Sequence, residues 1–174
     1  MPDHAFPVSA PNVLLRFSAK ASAVPATDLP DGTPLGPVVD RELAACRRSG
    51  APLVVLSIEL AGLEFVAQQH GQAVEHQVLQ AVWNRLRNHL RASDRALRVG
   101  GAEFGAILLN AAGLAAAIVD ARLSRSLSQP YGIGTLEIVI SARTGFAVYP
   151  QTGTTGEALV GAATQARVNR GKTA

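Results

Sequence analysis

The stretch Arg98-Val99-Gly100-Gly101-Ala102-Glu103-Phe104 is the first place in the sequence where residue types and spacing suggest chemistry. Glycine reaches positive φ without steric cost, and it has no Cβ to hold a ligand's phosphate or sugar away from the backbone. The same pair also makes an ordinary tight turn between two strands. Much of the formal charge of +3 sits on arginines, among them Arg47, Arg48, Arg85, Arg87, Arg91, Arg95 and Arg98. A basic face of this kind attracts nucleotides or anionic polymers, and it also describes a solvated helix surface. The 4 histidines have no zinc-ligand spacing, and Cys46, the 1 cysteine, sits in an Ala-Ala-Cys run that reads as a small core residue. No metal, cofactor or internal disulfide is expected. With 5 Phe, 2 Tyr and 1 Trp, aromatics are too few for a single-strand stacking platform, so DNA is not an expected partner.

The elements that must position this turn follow from periodicity. Leu53 to Leu60 is an apolar strand, followed by a short amphipathic piece from Leu63 to His70 and by Gly71. Val74, Val78, Val82, Leu86 and Leu90 recur every four residues and predict a helix over about Ala73 to Arg91. Arg95 to Val99 and Phe104 to Leu109 read as strands on either side of the glycines, a hairpin pattern. A helix over Leu114 to Leu127, a strand pair around Leu136 to Val148 and a helix over about Gly156 to Arg170 complete the order. Ahead of these, Pro34 to Pro37 predicts a turn and Val38 to Arg48 a first helix stopped by Gly50. Pro2, Pro7, Pro11, Pro25 and Pro30, interleaved with Ala, Ser and Asp, predict a flexible lead-in over residues 1–34, with Val13 to Phe17 as a short docked segment. Residues 35–174 then form one domain, ample for its own core at 48% hydrophobic composition. No run is apolar enough to span a bilayer and no signal-peptide pattern opens the chain, so a cytoplasmic location without membrane insertion is expected.

This order of elements, together with the Gly-Gly-Ala-Glu-Phe turn and the Phe146-Ala147-Val148-Tyr149-Pro150 segment followed by Gly153, resembles the GGDEF family of diguanylate cyclases over roughly Gly36 to Lys172. The resemblance implies an α/β sandwich like the class III nucleotide cyclases, a mostly antiparallel sheet flanked by helices. In the family, two divalent ions lie between an aspartate of the first strand and the first acid of the signature, where they neutralise a triphosphate and activate the attacking hydroxyl. The strand position is Glu59 here, one methylene longer, and the signature position is Ala102, which offers no ligand. Glu103 keeps the second acid. Base-reading positions fall on Ala67 and His76, with Gln72 and Glu75 replacing a His and a Gly, and the family's Phe-Lys becomes Leu63-Glu64. In the late helix, Ala163-Thr164-Gln165-Ala166-Arg167-Val168-Asn169-Arg170-Gly171 puts Gly171 where the family has a phosphate-contacting lysine, with Lys172 one place off. Asp28-Leu29-Pro30-Asp31-Gly32 is a poor match to the family's opening segment. Glu59, Gly100, Gly101, Ala102, Glu103 and Phe104 therefore read as remnants of an active site in a domain that has lost catalysis.

One motif of the family is kept. Its inhibitory site, Arg-x-x-Asp five residues before the signature, binds cyclic di-GMP, and this chain has Arg91-Ala92-Ser93-Asp94 at that spacing. A guanidinium fork takes a phosphate or a guanine edge bidentately, and a carboxylate accepts from guanine N1 and N2. The resemblance thus implies a cyclic di-GMP receptor acting through Arg91 and Asp94. Two plainer readings stand beside it: Asp94 capping a turn, and Arg91 complementing a helix dipole. Arg98 reads as structural or as part of the basic face. The alternative function is a module that binds no nucleotide and dimerises or docks on a signalling protein. Residual magnesium-dependent GTP binding at Glu59, Gly100, Gly101 and Glu103 is a further reading, weakened by the lost base contacts.

Overall fold

The computed structural model describes residues 32–171. Helices α1 (Leu35–Ser49), α2 (Leu63–His70), α3 (Gln72–Asn88), α4 (Gly113–Leu127) and α5 (Gly156–Gly171) and strands β1 (Leu53–Ala61), β2 (Arg95–Gly100), β3 (Glu103–Leu109), β4 (Tyr131–Ile133), β5 (Leu136–Ile138) and β6 (Ser141–Tyr149) follow in the order α1-β1-α2-α3-β2-β3-α4-β4-β5-β6-α5. The main sheet has the order β2-β3-β1-β6, and every neighbouring pair is antiparallel. This is the antiparallel cyclase-like sandwich that the sequence implies.

Strand alternation sorts the core into two layers. Leu53 and Val55 of β1, with Ile107 and Ala147 beside them in register, pack under α1 and α5 against Val39, Leu43, Cys46, Leu159 and Ala163. Val54, Leu56, Ile58 and Leu60 point the other way, toward α2, α3 and α4, in a larger layer that includes Trp83, Phe104, Leu123 and Tyr131. β1 is central and buried on both faces, which is why its sequence runs apolar without alternating. Cys46 lies in the smaller layer, 5% exposed, as its Ala-Ala-Cys setting suggests.

Several boundaries differ from the sequence reading. α1 begins at Leu35, so Gly36 and Pro37 lie inside its first turn rather than in a loop. Proline is tolerated there because first-turn N–H groups have no intrahelical partner. α3 stops at Asn88, so Leu90 and Arg91 lie beyond it although they continue its spacing. The strand pair expected around Leu136 to Val148 is two strands that do not pair with each other. β5 pairs with β4, a strand too short to show alternation, and β6 pairs with β1. The flexible lead-in expected over residues 1–34 falls almost wholly outside the described residues. At the other end of that segment, Thr33 N–H donates to the Arg98 carbonyl (2.8 Å), bringing the entry to α1 along the outer edge of β2.

Arg85 fastens α3 to the end of α4. Its guanidinium donates to the carbonyls of Ser126, Gln129 and Pro130 (3.1, 2.8 and 2.9 Å) and lies 3.7 Å above the Tyr131 ring. The Tyr131 hydroxyl donates to the Leu127 carbonyl at 2.7 Å. Burial pushes this phenol from the usual 10.0 up to about 12, against a partial pull downward from Arg85. The unfolded chain would therefore shed this proton first, so stability falls as pH rises from about 10 to about 12. A difference titration of ultraviolet absorbance between the wild type and Tyr131→Phe should place the Tyr131 transition near the upper value. A transition at the ordinary tyrosine value would contradict this burial.

Candidate functional site

Glu59 and Glu103 are direct register partners on β1 and β3, so both carboxylates project from the face covered by α5. Between them lies Arg167 of α5. Its Nη2 donates to Glu103 Oε1 at 3.0 Å, and its Nε lies 3.9 Å from Glu59 Oε2. The arginine is 5% exposed, while the two carboxylate side chains are 38% and 47% exposed and open toward solvent. The Arg167 Nε is buried without a hydrogen-bond partner. Arg143, the register partner of Glu59 on β6, shares this face and is exposed.

The route of Arg167 into the cleft is set by glycine. Gly145 of β6 lies directly beneath α5, where a Cβ would come within 2.2 Å of Arg167 N and 2.5 Å of Ala163 O. The missing side chain lets the helix backbone rest on the sheet. Position 167 then continues the buried stripe Gly156, Leu159 and Ala163.

The other remnants part company around the turn. Gly101 has φ 47, the left-handed conformation that glycine favours, and a Cβ on Gly100 or Gly101 would meet nothing within 4 Å. Ala102 packs against the larger core layer, and its carbonyl accepts from Leu60 N–H at 3.0 Å. Phe104 is 1% exposed and stacks on Trp83 at 6.4 Å between centroids. The structure therefore brings Glu59 and Glu103 together beside an open turn, and puts Phe104 in the core on the opposite face.

A second site lies at the far end of α3. A groove of about 420 Å³ is lined by Arg91 and Asp94 from the α3–β2 turn and by Arg122 from α4, with His89 and Asn110 beside them. Asp94 holds the turn: its Oδ2 accepts from Arg91 N–H (3.0 Å) and its Oδ1 from Leu109 N–H (3.2 Å). Each oxygen keeps a lone pair free for a further donor. Arg122 Nη2 donates to the His89 carbonyl at 2.8 Å. His89 is held below the ordinary histidine value by burial first, and then by the nearby charges of Arg122 and Arg85. A smaller recess of about 160 Å³ that also includes Asp94 is lined by Arg87 and Arg91. Arg91 is exposed and lies two residues past the His89 cap of α3.

Two residues of these sites escape a reading of the motifs. Arg122 sits in a helix of mostly small and apolar residues, and only the fold carries it to the Arg91 turn. Arg167 does leave a trace: a charged residue stands four places after Ala163, where the apolar spacing of α5 calls for a core side chain.

An antiparallel β2-β3-β1-β6 sheet between two helical layers, with a glycine turn beside paired acids, defines a cyclase-type domain. The model of the family described as "Diguanylate cyclase, GGDEF domain" matches residues 25–173, and the chain belongs to this family. It is 31% identical over 134 residues to the bifunctional diguanylate cyclase/cyclic di-GMP phosphodiesterase MucR of Pseudomonas aeruginosa, covering 77% of this chain and 20% of MucR. The chain thus spans a fifth or less of the curated relatives it matches. Among solved structures it is similar to a sensory box/GGDEF family protein from Caulobacter crescentus, with a TM-score of 0.74, 26% identity, and 80% and 91% of the two chains covered. The GGDEF domain of DgcB from Caulobacter crescentus, solved in complex with cyclic di-GMP, shares the fold at 18% identity, with a TM-score of 0.71 and 79% and 82% of the chains covered.

Proposed function

We propose that this is a GGDEF domain without cyclase activity that binds cyclic di-GMP in the groove formed by Arg91, Asp94 and Arg122. The observation that carries the reading is the convergence of two arginines and a carboxylate, from elements 28 residues apart in sequence (94 to 122), on one groove. Two guanidinium forks suit the phosphodiesters of a cyclic dinucleotide, and the free lone pairs of Asp94 suit the donors of a guanine edge. The DgcB complex supports the fold as a carrier of this ligand. Loss of catalysis is supported by Ala102, which offers no ligand where the family has an acid, and by Arg167, which already engages both surviving carboxylates.

Calorimetric titration with cyclic di-GMP, beside Arg91→Ala and a GTP–magnesium control, tests this. The expected result is a dissociation constant of about 1 μM or tighter, worth about 8 kcal/mol, with affinity lost in Arg91→Ala and no heat from GTP. No heat from cyclic di-GMP at concentrations far above that range would remove the receptor reading.

One observation favours a second reading. Leu114 and Ile118 are one helical turn apart on α4, 80% and 62% exposed. An exposed apolar pair suits contact with a protein, either a partner or a second copy. A silent titration together with concentration-dependent sedimentation that Leu114→Lys abolishes would favour it.

A further inference from the structure

The cleft between Glu59 and Glu103 is where family resemblance calls for divalent ions, and the residues present do not suit them. Ala102 removes one carboxylate. Of the two that remain, Glu103 Oε1 already accepts from Arg167 at 3.0 Å, and Glu59 Oε2 lies 3.9 Å from the same guanidinium. Among the described residues no group of three or more His, Cys, Asp and Glu is placed to hold a metal. An incoming divalent ion would have to compete for both carboxylates with a guanidinium that is 5% exposed and anchored on a helix resting on Gly145. It would also face that like charge at contact range, where partial burial weakens screening.

We infer that Arg167 is a built-in counter-ion that stands in the place of the metals, offsetting one of the two carboxylate charges from within and closing the cleft to divalent cations. A planar, permanently charged fork suits this role, since it reaches two carboxylates without needing the ligand number or octahedral geometry that magnesium demands. The arrangement also ties the signature hairpin to α5 through the Arg167–Glu103 contact. The charged head of Arg167 meets carboxylates that still touch water, so its burial is only partly uncompensated. The unpartnered Nε is the residual cost of placing a cation at a core position. This inference shares with the proposed function only the loss of metal-dependent chemistry. It is independent of whether the Arg91 groove binds cyclic di-GMP.

The test is manganese binding, read by the loss of the free-ion paramagnetic resonance signal, alongside thermal melts in manganese chloride against ionic-strength-matched potassium chloride. Wild type and Arg167→Lys should leave the free-ion signal undiminished and show no manganese-specific rise in melting temperature. Arg167→Gln should melt lower, bind manganese saturably in the millimolar range and regain part of its melting temperature. Glu59→Gln/Arg167→Gln should lose that binding again. Saturable manganese binding by the wild type that Glu59→Gln abolishes would overturn the inference, as would an Arg167→Gln protein that folds and binds none. If Arg167→Gln does not fold, Glu103→Gln decides in an otherwise intact chain. A melting temperature lowered by roughly 2–4 °C upholds the ion pair as structural, and an unchanged one overturns it. No arm of this test uses cyclic di-GMP, so its failure and that of the receptor reading are separable.

Discussion

Gly145→Ala is expected to destabilise the domain by about 3 kcal/mol or more, at or beyond the upper end of ordinary overpacking costs. The added methyl would lie 2.2 Å from Arg167 N, 2.5 Å from Ala163 O and 2.8 Å from Arg167 Cα. All three are backbone atoms of a hydrogen-bonded helix, so no side-chain rotation relieves the contact. α5 would have to lift, drawing Leu159 and Ala163 away from Val55 and Ala147 and pulling Arg167 off Glu103. Two other glycines calibrate the effect. At Gly105 the methyl would meet Leu35 side-chain atoms at 2.8 Å, which can turn aside, so a smaller loss is expected. At Gly113, the first residue of α4, it would meet nothing within 4 Å, so Gly113→Ala should be neutral or stabilising by about 0.5 kcal/mol. Urea unfolding midpoints at unchanged slope measure all three. A Gly145→Ala protein within about 0.5 kcal/mol of wild type would mean that α5 does not rest on β6 as described.

How far the sequence reveals this molecule depends on whether a feature is local. β1 and α2 are legible because an apolar strand run and a short amphipathic run each end at a glycine, Gly62 and Gly71. The hairpin is legible because Gly101 must adopt positive φ between two strand-like stretches. α3 reads too long because Leu90 continues its apolar spacing and does pack on the core, although from a turn rather than from the helix. What ends the helix is the turn held by Asp94, whose partner Leu109 lies 15 residues away and leaves no mark on the local pattern. β4 is missed because three residues show no period, and its hairpin with β5 is held largely by Tyr131, Ile133 and Ile138 reaching the core under α3 and α4. The candidate sites follow the same rule. Glu59 and Glu103 come from strands whose pairing the family pattern implies, whereas the burial of Arg167 between them depends on a helix docking on Gly145. The fold alone decides that contact.

Arg122 makes the same point for the groove, and its substitution carries the second large expected effect. Arg122→Ala should weaken cyclic di-GMP binding by about 10- to 150-fold, the range that loss of a charge-assisted hydrogen bond of about 1.5–3 kcal/mol produces. The wild-type guanidinium is held by the His89 carbonyl at 2.8 Å, so one edge is fixed in a side chain that lines the groove. A pre-positioned fork loses little freedom when it takes a phosphate. Arg122→Lys keeps the charge and loses the fork. It should recover part of the affinity if the charge dominates, and little if two-pronged geometry does. A structural effect is separable, because Arg122 is also one of the charges that hold His89 low. In Arg122→Ala the His89 pKa should rise toward the ordinary 6.5 while burial and Arg85 still restrain it. The depressed histidine favours its neutral form, so its contribution to stability is present above pH 6.5 and is lost as pH falls below that value. The variant should therefore lose less stability on acidification than the wild type, and should bind cyclic di-GMP weakly at neutral pH, where His89 is neutral in both. Nuclear magnetic resonance titration of the His89 ring, paired with calorimetry, reads both effects. If affinity stays within twofold of wild type while the His89 shift appears, Arg122 braces the α3 terminus and the ligand is held by the Arg91 turn alone. If affinity falls and Arg91→Ala falls with it, the two arginines grip one ligand from both walls of the groove.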